Sequence, residues 1–297
     1  MRAPPSLRIV HVSDIHFWQY EWNPLRLLGK RAFGMAALLK GRAGRFRLER
    51  IEDVVARVLS LDPDHILITG DLTTTALPAE FRAARKALAP WLREPSRITV
   101  IPGNHDRYTI GAHRNRRFET FFGEFMPEPT FPWLRQLDES TAILGLDPTR
   151  AAISARGFLP AEQLARAKGL VESLDLSAVR LIVACHYPLE APTPLRRELA
   201  GKAMTNAAVV TEWLGGIGPH LFCCGHVHAA WSFRPAAIPG QLCLNAGAPL
   251  LRDHSGRHAP GFLEITLEAD RARVDHHAWR DGAWVVSTLS DRPVSGS

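Results

Sequence analysis

Long apolar runs are missing from this 297-residue chain. The longest stretch without Asp, Glu, Lys or Arg, residues 213–233, holds His220, His226, His228 and a Gly-Gly-Ile-Gly-Pro break, which excludes a bilayer-spanning helix. The first apolar run, residues 7–12, is too short for the core of a signal peptide and reads into Asp14, so no secretory leader is expected. Cysteine is scarce: Cys185, Cys223, Cys224 and Cys243 form no spaced CxxC pair and sit in apolar, strand-like runs. That excludes a disulfide scaffold and predicts buried, inert thiols in a reducing cytoplasm. No Gly-x-Ser-x-Gly occurs, so the nucleophile elbow of serine hydrolases is absent. An excess of positive charge is missing everywhere but in residues 17–47. There Arg26, Lys30, Arg31, Lys40, Arg42, Arg45 and Arg47 face one acid, Glu21, and this difference equals the net charge of the whole chain, +6. A neutral body carrying one basic segment does not offer a general nucleic-acid-binding face.

What is present is an ordinary soluble composition, long enough to bury a core without metal or disulfide staples. Any metal is therefore expected to be catalytic. Strands are predicted at 7–12, 65–69, 97–101, 180–184 and 221–224, and a hairpin at 134–138 and 141–146. Helices are predicted at 48–60, with Ile51, Val54, Val55, Val58 and Leu59 on one face, and at 78–92, 113–125, 159–174 and 206–213. Strands alternating with helices from 7 to 101 read as a parallel βαβα unit, hence an α/β fold. Between 24 and 40, apolar residues at 25, 28, 32, 35, 36 and 39 keep helical spacing, with Arg26, Lys30 and Lys40 opposite and Gly29 and Gly34 as weak points. The tail, 241–297, reads as short strands with turns at Gly256, Asp270 and Asp281-Gly282. No repeat or linker divides the chain, so 1–297 is expected to be one domain.

Five predicted strand ends carry polar residues of one kind. They are Asp14-Ile15-His16, Gly70-Asp71, Gly103-Asn104-His105-Asp106, His186 and Gly225-His226-Val227-His228. Carboxyl ends of strands are where α/β folds collect their chemistry. Asp14, His16, Asp71, Asn104, His186, His226 and His228 supply imidazoles, carboxylates and an amide oxygen, too many ligands for one catalytic ion and suited to two. Mixed nitrogen and oxygen donors favour Mn, Fe, Zn or Co over an all-oxygen Mg or Ca site. Two such ions need a bridging carboxylate and can clamp both oxygens of an in-line displacement. On a regular strand the pairs Asp14/His16 and His226/His228 would each point to opposite faces. They must leave that geometry to act together, and Ser13 and Gly225 mark where this is expected.

In that order, these motifs resemble the metallophosphoesterase (calcineurin-like phosphoesterase) superfamily over residues 7–228. The resemblance implies a single-domain, four-layer α/β/β/α sandwich with a binuclear centre. It implies that Asp14, His16, Asp71 and His228 hold one ion, and that Asp71, bridging, with Asn104, His186 and His226 holds the other. A metal-bound hydroxide would attack phosphorus while His105, oriented by Asp106, assists the departing oxygen. Leu146-Asp147, Gly157-x-Leu159 and Gln163-Leu164 resemble the bacterial class III cyclic-nucleotide phosphodiesterase branch, which implies small organic phosphodiesters as substrates. The chain departs from that branch in Cys185-His186-Tyr187-Pro188, where a His-His-x-Pro run is usual, and in its basic segment.

Two alternatives follow from the same superfamily. One is hydrolysis of a lipid-linked nucleotide phosphoanhydride, resembling the UDP-diacylglucosamine pyrophosphatase branch, although that branch usually has Arg in place of His105. Residues 17–47 would then be a lid contacting lipid or the inner face of the membrane; otherwise they are a packing element whose arginines are solvated. The other is a non-catalytic scaffold, like the retromer subunit of this fold. Oligomeric state has no signature in the sequence.

Overall fold

The computed structural model describes residues 6–23, 25, 27, 30–152, 154–253, 258–268 and 271–293, with the Arg42 side chain outside that set. In chain order its strands are β1 (Leu7–Val12), β2 (His65–Ile68), β3 (Ile98–Val100), β4 (Trp133–Asp138), β5 (Thr141–Leu146) and β6 (Arg180–Cys185). They continue with β7 (His220–Cys224), β8 (Ala230–Phe233), β9 (Gln241–Ala246), β10 (Gly261–Leu267), β11 (Arg271–Arg280) and β12 (Ala283–Pro293). These form two six-stranded sheets, ordered β12-β11-β10-β1-β2-β3 and β4-β5-β6-β7-β9-β8.

Side-chain alternation builds the layers. In β6, Ile182 and Ala184 enter the core between the sheets while Leu181, Val183 and Cys185 face outward; Leu221 and Cys223 of β7 alternate with Phe222 and Cys224 in the same way. The outward set packs under helices Ala161–Glu172 and Ala207–Gly215, through Leu164, Ala167, Val171, Val210 and Leu214. On the first sheet, β1, β2 and β3 run parallel, with helices Ile51–Ser60 and Pro78–Ala87 between them. β2 and β3 are buried along their whole length, as strands covered on both faces must be. The four-layer sandwich is thus present. All four cysteines are free and buried, and burial pushes the Cys185 thiol up to about 12.

Four expectations need correction. The tail does not consist of short strands: β11 and β12 have 10 and 11 residues and form a hairpin closed at Asp281-Gly282, both at positive φ. Gly256 and Asp270 lie outside the described residues. The helix expected over 113–125 is broken by Arg116 in the left-handed region (φ 47°), giving helices Ile110–Arg114 and Arg117–Phe122. Leu59, expected on the buried face of its helix, is 45% exposed.

The fourth correction concerns the basic segment. Its helix, α1, is only Lys30–Ala37, continuing into a wider turn over Leu38–Arg42. Its buried face is Arg31, Gly34, Met35 and Leu38, so Ala32, Ala36 and Leu39 of the expected stripe point to solvent. Polar docking outweighed apolar periodicity. The Arg31 guanidinium donates to the Thr75 carbonyl and Thr109 Oγ1, and a Cβ on Gly34 would lie 2.8 Å from Tyr108 Oη. Lys30 donates to the Ala152 carbonyl (2.6 Å) and lies over the Tyr108 ring, so it does not join Lys40 on a free basic face. Arg26, Leu28 and Gly29 lie outside the described residues.

Candidate metal centre

β1, β2 and β3 end beside β6 and β7 of the other sheet, and each of these ends delivers the expected residues. Asp14 and His16 follow β1, Asp71 follows β2, Asn104 to Asp106 follow β3, His186 follows β6, and His226 and His228 follow β7. The departure from strand geometry falls on these residues themselves. Asp14 (φ 54°), His16 (56°), Asp71 (53°), His226 (72°) and His228 (64°) are all in the left-handed region. Each costs roughly 1–3 kcal/mol, a strain that persists only where surrounding structure enforces it. Ser13 and Gly225, expected to carry the bend, instead let the two loops touch. A Cβ on Gly225 would overlap Ser13 Oγ and the Asp14 carboxylate.

Asp71 is common to two side-chain triads, His16-Asp71-His105 and Asp71-His186-His226; a third is Asp14-His16-His228. Within each triad the prospective donor atoms lie within 4.8 Å of one another. Asp71 Oδ2 stands 3.4 Å from His186 Nε2 and 3.7 Å from His16 Nε2, while its Oδ1 accepts from the His105 amide (2.7 Å). His16 and His228 present their Nε2 atoms to each other at 3.1 Å, and Asn104 Oδ1 is 3.3 Å from His186 Nε2.

The arrangement fits metal ions on its own terms. Asp14 Oδ1 is buried and accepts no hydrogen bond, although His228 Nε2 is 3.3 Å away. His186 gives its Nδ1–H to the Thr69 carbonyl and His226 its Nε2–H to the Lys202 carbonyl, leaving the opposite nitrogen of each ring as a lone-pair donor. His16 is the exception, for its Nδ1 has no partner and its ring packs on Phe46 at 4.5 Å. Burial alone would raise Asp71, but His186, His105 and His16 hold its carboxyl well below the usual range. Without a metal ion, Asp71 and Asp14 outweigh the lowering by burial and lift His186 to about 9, so an ion bound at Nε2 would take the place of the proton these carboxylates attract.

The role expected for Asp106 is revised. Its carboxylate accepts from the backbone amides of Thr73 and Gly103 (2.9 Å each) and Leu72 (3.3 Å), knitting the ends of β2 and β3 together. Burial, with the charge of Asp71, pushes it up to about 6. The partner that orients His105 is the Thr74 carbonyl, 2.6 Å from Nδ1, and Tyr108 stacks on the ring at 5.4 Å. Neither Thr74 nor Tyr108 was singled out by motif. Arg107 carries a buried ion-pair hub, bidentate to Glu119 (2.6 and 2.7 Å) and 2.9 Å from Asp147. Gln163 brackets the Asp147 backbone from both sides (2.8 and 3.0 Å), so Leu146-Asp147 and Gln163 brace the His105 turn.

A cleft of about 690 Å³ opens over these residues. Asp71, Asn104, His105, His226 and His228 lie at its base, and Lys40, Arg45 and Lys202 line it with cations. Lys202 carries no sequence signal.

A family model described as calcineurin-like phosphoesterase matches residues 7–230. The glycerophosphodiester phosphodiesterase GpdQ of Enterobacter lignolyticus (strain SCF1) is 31% identical over 100 residues, covering 33% of this chain and 29% of that protein. The match thus spans under a third of that relative's length. Among solved structures, a dimetal phosphatase from Danio rerio superposes with a TM-score of 0.61 at 14% identity, over 96% of this chain and 99% of that one. The purple acid phosphatase PPD1 from yellow lupin (Lupinus luteus) seeds gives 0.65 at 14% identity, over 97% of this chain and 54% of that one. At such identity these two likenesses speak to the fold alone.

Proposed function

The chain belongs to the calcineurin-like phosphoesterase family, and on that premise we propose that it is a two-metal phosphodiesterase acting on small organic phosphodiesters. The observation that carries this reading is Asp71, whose carboxylate stands between His16 and His186 as a shared ligand would. Asp14, His16, Asp71 and His228 would hold one ion, and Asp71, Asn104, His186 and His226 the other. Metal ions bound there would acidify a water and neutralise phosphoryl oxygens.

The chain's own residues supply the rest. Lys40, Arg45 and Lys202 attract the anionic substrate into the cleft. Because the Thr74 carbonyl can only accept, Nδ1 of His105 keeps its proton. The acid form of His105 is therefore the imidazolium, which gives the Nε2 proton to the departing alkoxide. Asp106 and the Arg107 hub hold the turn so that this ring does not swing.

The relative's printed activity on glycerophosphodiesters favours diesters over monoesters. A panel of bis-p-nitrophenyl phosphate, a glycerophosphodiester, a cyclic nucleotide and p-nitrophenyl phosphate, run with Mn, tests the proposal. Mn-dependent turnover is expected, with diesters ahead of the monoester. A preference for the monoester, or no metal-dependent turnover, would defeat it.

A lipid-linked phosphoanhydride is the second reading, and one observation favours it. Tyr20, Trp22, Leu25, Phe33 and Leu39 of the basic segment are exposed, at 43–78%, while Lys40 and Arg45 of the same segment line the cleft. An amphiphilic substrate would meet both surfaces at once.

A further inference from the structure

We propose that a second cleft, built around Arg50 and adjoining the candidate metal centre, binds a phosphoryl anion. Phe46 packs on His16 and pairs with Leu251 across an isolated bridge, and the chain then runs straight into this cleft. Arg47, Arg50, Arg252 and Arg280 line it, together with Trp279, around a volume of about 500 Å³. Among the described residues two carboxylates, Asp253 and Asp281, line it with them, and Asp253 accepts the His258 amide. Cations therefore outnumber anions in its wall.

Arg50 is the telling residue. It is 7% exposed, yet its Nε and Nη2 are buried without a hydrogen-bond partner, and so is Nε of Arg47. Asp53 Oδ2 stands 4.0 Å from Arg50 Nε, beyond hydrogen-bond reach. The Trp279 ring covers one face of the Arg50 guanidinium at 4.0 Å and holds its plane. Burial pulls this arginine down only to about 10, so it is a cation at neutral pH.

A buried cation with unmade N–H bonds is costly, and native structures give such donors acceptors. The donors here belong to two guanidinium groups, with two exposed arginines, Arg252 and Arg280, at the rim. A planar carboxylate offers two oxygens to one fork. A tetrahedral phosphoryl group offers three, and suits donors arriving from several directions. It can come as free inorganic phosphate or as a further phosphoryl group of a substrate held at the metal centre.

The test is calorimetric titration of inorganic phosphate into the full chain after chelation, which removes phosphate binding by metal. One saturable site is expected, with a phosphate-dependent rise in Tm. Arg50→Met should weaken it by roughly 10- to 100-fold, the worth of one or two charge-assisted hydrogen bonds. The Mn-loaded variant should keep its kcat on bis-p-nitrophenyl phosphate. Absence of binding by the parent chain, or undiminished binding by Arg50→Met, overturns the proposal. If Arg50→Met lacks a cooperative unfolding transition, the rim variant Arg252→Gln/Arg280→Gln decides by the same loss or its absence. KM then separates the sources. A rise only for substrates with a second phosphoryl group assigns the cleft to substrate, and unchanged KM values assign it to free phosphate.

Discussion

At the scale of the residue, His105 shows how a motif names a group without naming what positions it. The family resemblance implied Asp106, but the Asp106 carboxylate serves the amides of Leu72, Thr73 and Gly103, and a carbonyl from the β2 loop anchors the imidazole. That carbonyl could not be read beforehand, because any residue at position 74 has one. The pairs Asp14/His16 and His226/His228 were legible, since alternation alone demanded a break in strand geometry. That the break would be a left-handed conformation at the candidate ligands themselves needed the fold. His105→Ala should retain its metals by elemental analysis and lose roughly 10²–10⁴ in kcat on alkyl diesters. The loss should shrink for p-nitrophenolate, which leaves without help. Equal losses on both leaving groups would exclude the acid role.

At the scale of the element, apolar periodicity located most helices and every predicted strand but misjudged, besides the helix broken at Arg116 and the exposure of Leu59, two further cases. In α1 the buried stripe was chosen by Arg31 and Gly34, residues that a hydrophobic pattern does not count. The hairpin of β11 and β12 was read as shorter strands because its outer strand is largely exposed, so no continuous apolar alternation marks its length. The turn after β3 depends on Arg107, which ties helix Arg117–Phe122 and the end of β5 to it through Glu119 and Asp147. Arg107→Leu should cost about 3 kcal/mol in urea unfolding, the low end for breaking a buried pair, since Arg107 is buried but Glu119 and Asp147 are only partly so. The pH dependence has a definite sign. Burial would raise Glu119, but Arg107 holds it below its ordinary value, so the parent pair stabilises above the unfolded carboxylate pKa and weakens as pH falls through the folded one. Without Arg107 the largest lowering influence is lost, and only the backbone and the Arg116 charge still oppose burial. The deficit of the variant should therefore be greatest near neutrality and narrow as pH drops toward about 4. A deficit independent of pH would show that the cost is lost packing.

At the scale of the molecule, no helix among the described residues is long and apolar enough to cross a membrane. With Arg31 buried and Lys30 docked, exposed Lys40 and Arg45 are left to share the segment's surface with exposed Trp22 and Phe33. If that surface meets amphiphilic substrates, co-sedimentation with phosphatidylglycerol vesicles should occur at low salt. Binding should fade as the Debye length falls from roughly 30 Å at 0.01 M to 10 Å at 0.1 M. Indifference to vesicles at low salt removes the lipid reading and leaves small soluble diesters. Charge asymmetry was legible from composition, whereas the division of the segment between cleft lining and outer surface was not.

The pairing of β1 with β10 bears on how the protein is born. β1, which leads to Asp14 and His16, lies between β2 and β10, and its partners along Leu7 to His11 come from residues 263–267. A nascent chain that has emerged as far as His228 already carries every candidate site residue. Its first strand is still an open edge of mainly apolar sequence, Leu-Arg-Ile-Val-His-Val. Open edges of this kind are templates for intermolecular pairing. The candidate ligands are therefore all synthesised well before the sheet that steadies the first of them can close.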